Sequence, residues 1–140
     1  MDYLIQLLLA GTTAIGFGQL YGVPRRLTFW VAVPSALGWL VIIVAKAIGA
    51  SELVAFFASS TVIGISGELM ARRFHAPASL FIIPGIFVLV PGANAYQAML
   101  CFIQRDYEGG VIEAVITMLL ATAIAMGLIV ANAIIYLRRR

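Results

Sequence analysis

Cysteine occurs once in the 140 residues, at Cys101, and histidine once, at His75. A lone cysteine cannot close an intrachain disulfide, so it assigns no redox compartment. One histidine and one cysteine cannot complete a tetrahedral zinc site, and no metal is expected. Charge is scarce as well: Asp, Glu, Lys and Arg make up 11% of the chain. An ordinary soluble domain carries about 25%. There is no Ser/His/Asp arrangement, no paired acids, no Walker loop and no dinucleotide fingerprint. Soluble, fibrous and disordered classes are excluded on this basis. The expectation is a protein that is not an enzyme and uses no cofactor.

What fills the chain is apolar: 63% hydrophobic residues and a mean hydropathy of +1.06. Five membrane-spanning helices of about 20 residues would use roughly 100 positions and leave roughly 40 for ends and turns. That ratio predicts one transmembrane domain over 1–140, with no separate extramembrane unit. The net charge of +3 does not point to nucleic acid, because the cations stand in pairs and a terminal triplet between apolar runs. Such placement is what orientation in a lipid bilayer requires. Asp2 stands where a secretory signal would need a positive region, so residues 3–20 read as a retained span.

Charges measure the spans, since one at mid-bilayer costs about 2.5–3.5 kcal/mol even on lenient scales. Twenty-two uncharged residues separate Asp2 from Arg25, and 19 separate Arg26 from Lys46. Residues 53–71 hold one charge, Glu68, and 114–137 hold none. Helices are expected at 3–21, 27–48, 52–71 and 112–137. The run from Phe74 to Gln104 is 31 residues long, too long for one span and too short for two with a turn. It contains Pro84-Gly85 and Pro91-Gly92. Proline removes a helix donor and clashes with the preceding turn, and glycine is a poor helix former. The fold expected is all-α and integral to the membrane, with about five transmembrane helices. One is Pro/Gly-broken, or a re-entrant element, at 84–92.

The loop charges give the direction. Arg25-Arg26, Arg72-Arg73 and Arg138-Arg139-Arg140 mark cytoplasmic connections or ends, while Lys46, and Arg105 with Asp106, Glu108 and Glu113, mark the other side. Five crossings let these clusters alternate, with the N-terminus outside and the C-terminus inside. Small residues recur four apart at Thr12/Gly16, Ala14/Gly18, Ser60/Gly64 and Ala123/Gly127/Ala131. This spacing lets helices approach closely within the subunit or toward another.

Few side chains can carry chemistry. A helix restarting after Gly92 would leave the amides of Ala93, Asn94 and Ala95 without intrahelical acceptors, a partial positive charge suited to a carboxylate. Many transporters build substrate sites on such discontinuous helices. Pro84, Gly85, Pro91, Gly92, Asn94, Tyr96 and Gln97 are therefore the candidate substrate-binding residues. The alternative is a kinked helix whose freed groups are met by neighbours.

Glu68 is the one acid well inside an apolar run. Arg72, four residues on, is placed for an i,i+4 ion pair; the other reading is a proton-coupling carboxylate. Ser59, Ser60, Thr61 and Ser66 share that span and are expected to bond back to their own helix. Arg25, Arg26, Arg72 and Arg73 are orientation signals, or an inner mouth for an anionic solute. His75, next to Ala76-Pro77, reads as a headgroup-level side chain, and Trp30, Trp39 and Tyr21 suit the aromatic belts or the core.

Tyr21-Gly22-Val23-Pro24-Arg25-Arg26, then Gly38-Trp39, then Glu68 to Pro77, then Pro84 to Tyr96 resemble the small-subunit branch of the threonine/serine exporter family. The resemblance covers nearly the whole chain, with its motifs in order. This chain departs from it at Val88, where relatives often have a third proline, and at Gly22, where asparagine is common. The family implies about ten spans in one long chain, or a split into a larger and a smaller protein, the smaller about this length. It implies export of small hydrophilic metabolites: threonine and serine, or dicarboxylates such as succinate for some split pairs. The partners implied are a larger membrane subunit, a small-molecule substrate and the lipid bilayer of a bacterial cytoplasmic (inner) membrane. A stabilising subunit without its own site, or a self-associating channel as a homo-oligomer, are the alternatives.

Overall fold

A computed structural model describes residues 2–137. The triplet Arg138-Arg139-Arg140 lies outside the described residues. Six α-helices follow one another: α1 (Asp2–Leu20), α2 (Ala32–Ala47), α3 (Glu52–Phe74), α4 (Ser79–Phe87), α5 (Gly92–Ile103) and α6 (Tyr107–Leu137). A short 3-10 turn, Arg25–Leu27, precedes α2. No strand occurs among the described residues. Four segments are long and apolar enough to cross a bilayer, and α4 with α5 form a fifth that bends by 43° at a break. About five transmembrane helices with one broken is the architecture.

The boundaries differ from the charge-based expectation at three places, each for a local reason. Residues 28–31 are a turn and α2 starts at Ala32, because Pro34 falls in its first turn, where a missing N–H is tolerated. Helix α3 runs on to Phe74, so Arg72 and Arg73 belong to its last turn. His75 then takes a left-handed φ of 51° and closes the end. The Ala76 amide donates to Ala71 C=O at 3.0 Å, the long bond of a Schellman ending. Helix α6 begins at Tyr107 rather than 112. Asp106 caps it, accepting from the Gly109 amide at 3.0 Å, and acids are favoured in a first turn. Glu108 is thereby a helical residue rather than a loop charge, joining Glu113, which already lay within the expected helix.

Helix α3 is central, packing on α2, α4 and α6, while among the described residues α5 packs only on α6. The α3–α6 seam uses the small residues. A Cβ at Gly64 would come within 2.6 Å of Ala131 Cβ, and one at Gly127 would collide with Ser60 Oγ. Only residues without side-chain bulk permit this approach. The two helices run in parallel, since Phe57 and Ser60 face Gly127 and Gly64 faces Ala131. Gly18 packs against Val23 and Val31, but a Cβ at Gly16 would meet nothing. The Thr12/Gly16 pair is therefore not packed inside this chain.

Two apolar clusters organise the interior. Ala14, Val23, Leu27, Val31, Ala71 and Phe81 close one end of the bundle, beneath both the Arg25-Arg26 turn and the Arg72-Arg73 end of α3. The second cluster joins Ile42, Ile63, Leu89 and Ile124 from four segments. Both arginine pairs thus lie at one end, and Lys46 lies at the other, beside Tyr3. Gly22 has φ +71° in the turn after α1, a conformation that glycine and asparagine both accept.

Candidate functional site

The two proline–glycine pairs do different work. Pro84 stands inside α4, and the helix continues through it. Gly85 lies against α3 so closely that a Cβ would be 2.8 Å from Ile63 Cγ2. The first pair is thus a packing device, and the break falls wholly at the second.

There the helix first tightens. Leu89 N–H bonds Ile86 C=O at 2.7 Å and Val90 N–H bonds Phe87 C=O at 3.4 Å, both three residues back. Pro91 then has φ −75° and ψ 55°, and Gly92 N–H donates to Val90 C=O at 2.7 Å. This is an inverse γ-turn, centred on a residue with no N–H of its own. Helix α5 starts at Gly92. Ala95 N–H is taken up by Pro91 C=O at 3.1 Å, so that amide is not open as expected. The amides of Ala93 and Asn94 donate to no backbone carbonyl. These two remain as the positive end of α5.

Asn94 is half-buried and its Nδ2 donates to Glu113 Oε2 on α6 at 3.4 Å. Glu113 is itself half-buried, and its backbone carbonyl accepts from Thr117 Oγ1 at 2.8 Å. A carboxylate therefore already faces the first turn of α5. Tyr96 and Gln97 are exposed, and no hydrogen bond joins either to the Asn94–Glu113 contact among the described residues. Sequence reasoning placed Glu113 at the start of the 112–137 helix and grouped it with the acids of the outer side; no local signal pairs it with Asn94.

At the arginine end, Glu68 meets Arg72 with Oε1 to Nε at 3.4 Å. Glu68 lies between two hollows. One, of about 540 Å³, is lined by Arg72 and His75; the other, of about 360 Å³, by Asn132 and Tyr136. Ser60, Thr61 and Ser66 bond back to carbonyls of their own helix. Ser59 instead donates across to Gly38 C=O on α2 at 2.7 Å. Thr61 is placed 3.1 Å from Gly127 C=O of α6 as well. Arg25 and Arg26 are exposed in their turn, and Tyr21 packs obliquely on Phe87.

Trp39 is the other side chain whose role exceeds packing. Its Nε1 donates to Gln6 Oε1 of α1 at 3.3 Å. Among the described residues no group of three or more His, Cys, Asp or Glu side chains could hold a metal ion.

Comparison with known proteins places this geometry. The family model described as threonine/serine exporter, ThrE, matches residues 6–134. Among curated proteins, an uncharacterized protein of Haemophilus influenzae is 28% identical over 133 residues, covering 93% of this chain and 45% of its own length. The chain thus spans less than half of that relative. No solved structure matches it.

Proposed function

The chain belongs to the threonine/serine exporter family, and from that membership we propose that it is a subunit of a secondary exporter for small hydrophilic carboxylate-bearing metabolites. Threonine, serine or a dicarboxylate such as succinate would leave the cytoplasm through it, with no chemistry performed on them. The observation that carries the reading is the broken span. About nine residues at 1.5 Å rise give α4 a length near 14 Å, and about twelve give α5 near 18 Å. Together they match a hydrocarbon core of about 30 Å, with the break close to its middle. That is where alternating-access carriers hold their substrates.

Two orphan amides at Ala93 and Asn94 can receive a carboxylate without burying an unpaired cation, and Pro91 and Gly92 keep them open. Pro84 and Gly85 hold the preceding half-helix on α3. Asn94 adds a neutral donor. Tyr96 and Gln97, exposed on α5, are available to a partner or to a solute passing that face. Glu113 offers a further role. While ionised it occupies the partner-seeking side of Asn94, and a substrate carboxylate would have to compete with it.

A larger subunit supplies the rest of the transporter in this reading. The H. influenzae relative is more than twice as long as its matched portion, which supports a second half of comparable size. The chain is a single domain of a bacterial cytoplasmic membrane, with its N-terminus and Lys46 outside and the arginine pairs inside. Glu68 is the proton-coupling candidate, and Arg25, Arg26, Arg72 and Arg73 flank the inner mouth. The test is efflux of labelled serine, threonine or succinate from vesicles holding the chain alone, or the chain with the larger family member of the same genome. Transport is expected only with both. Transport by the lone chain would replace the two-subunit reading with self-association, and none by either would leave a stabilising role.

A further inference from the structure

Two hollows on the α1–α2 seam share a partition. The inner one, of about 320 Å³, reaches Thr13 and ends on Phe87 and Val88, where α4 gives way to the break. The outer one, of about 470 Å³, continues toward Tyr3 and Lys46. Gln6 and Trp39 line both. At that point the Trp39 Nε1–H donates to Gln6 Oε1 at 3.3 Å, the one side-chain hydrogen bond joining α1 to α2 among the described residues.

We infer that these hollows are one path by which a small carboxylate-bearing solute leaves, with the Trp39–Gln6 bond as the constriction beyond the helix break and Lys46 drawing the anion to the outer mouth. The inference rests on the exporter reading and on Lys46 facing outward. Each part has a physical reason. A cation at the rim of a concave, low-dielectric cleft raises the local concentration of anions. The walls are aliphatic and aromatic with a few polar groups, Gln6, Thr13 and the indole N–H, which is the make-up of small-molecule sites of this volume. A single neutral hydrogen bond has little net strength, so the partition can part and reform. Lys46 takes part in no ion pair among the described residues, which leaves its charge for a solute. The inner hollow ends on Phe87 and Val88, at the turn that leads into the break.

Thiol reactivity in the intact membrane tests this without requiring transport. Thr13→Cys is placed in a Cys101→Ser background, produced together with its larger family member. It is then treated from outside with impermeant methanethiosulfonates, one anionic and one cationic. A thiol facing lipid stays protonated and unreactive, because the thiolate is the nucleophile; reaction therefore reports a water-filled approach. The anionic reagent is expected to react several-fold faster than the cationic one, and Lys46→Gln is expected to abolish that preference. Trp39→Phe, which keeps a ring but loses the N–H, should raise both rates several-fold, and Gln6→Leu should do the same from the other side of the bond. Equal rates for the two reagents with Lys46 present, or rates unmoved by both constriction variants, overturn the path. Intact charge preference with no efflux of any carboxylate would instead overturn the exporter reading alone.

Discussion

Asn94 and Glu113, 19 residues apart in the chain, meet side chain to side chain at 3.4 Å and tie the first turn of α5 to α6. The bond stands beside the two amides that lack backbone acceptors. An acid and a helix N-terminus are thus held within reach of each other by a neutral amide. Asn94→Ala removes the intermediary while leaving the backbone of α5 untouched. Substrate affinity is expected to fall several-fold, read as a higher half-saturation concentration for efflux at unchanged membrane abundance. Glu113→Gln should move affinity the opposite way, since it withdraws a competing negative charge. Unaltered half-saturation in both variants would relocate recognition to the partner subunit.

The two glycines of the proline–glycine pairs should respond oppositely to bulk. A Cβ at Gly92 meets nothing within 4 Å, so Gly92→Leu is expected to preserve abundance and thermal stability yet lower transport by shielding the amides. Gly85→Val should do the reverse: a Cβ there sits 2.8 Å from Ile63 Cγ2, and overpacking of this kind costs about 1–3 kcal/mol. Detergent-solubilised protein followed by size-exclusion after a heating series separates the two. Loss of stability in Gly92→Leu, or none in Gly85→Val, contradicts the division of labour between the pairs.

Glu68 and Arg72 pose a separate question. Their 3.4 Å pair suffices for a structural role, and a proton carrier would need more than that. Glu68→Gln is expected to retain membrane abundance and to flatten the pH dependence of efflux. A profile that keeps its shape would leave only the ion pair.

Orientation can be read from single cysteines in a Cys101→Ser background. Ser51 and Gln104 are exposed at helix ends, and cysteine there should react with an external reagent. Arg73→Cys should not react until the membrane is opened. Gly109 is unsuitable as a reporter, because a Cβ there would collide with the capping carboxylate of Asp106. External labelling at position 73 would invert the topology.

Much of the architecture is legible in the distances between charges. Arg25, Lys46, Glu52 and Arg72 bracket α2 and α3 because a membrane span tolerates few charges, so their spacing records its length. The Glu68–Arg72 pair is equally legible, since i,i+4 spacing puts both on one helical face. The break is legible as an event but not as a position. Pro84 and Pro91 look alike in sequence, and only the second is followed by a residue whose amide can fold back into a γ-turn rather than pack against α3. What sequence alone conceals are contacts between distant segments, such as Trp39 with Gln6 and Asn94 with Glu113. Nothing in local composition pairs residues that meet only once the helices are assembled.

Among the described residues, helix α5 packs on α6 and on no other helix, and this bears on how the chain is made. Neither α4, with 9 residues, nor α5, with 12, is long enough to cross lipid alone, given the about 20 residues a span requires. During synthesis the two halves must therefore leave the translocation channel as one unit. The second half finds its only helical neighbour in the segment still to emerge. Insertion of the broken crossing, the fourth in chain order, is thus completed backwards, from the last helix to the one before it. A ribosome stalled before α6 would leave α5 at the channel with its amides bonded to water, and the break would acquire its final shape as the closing step of assembly.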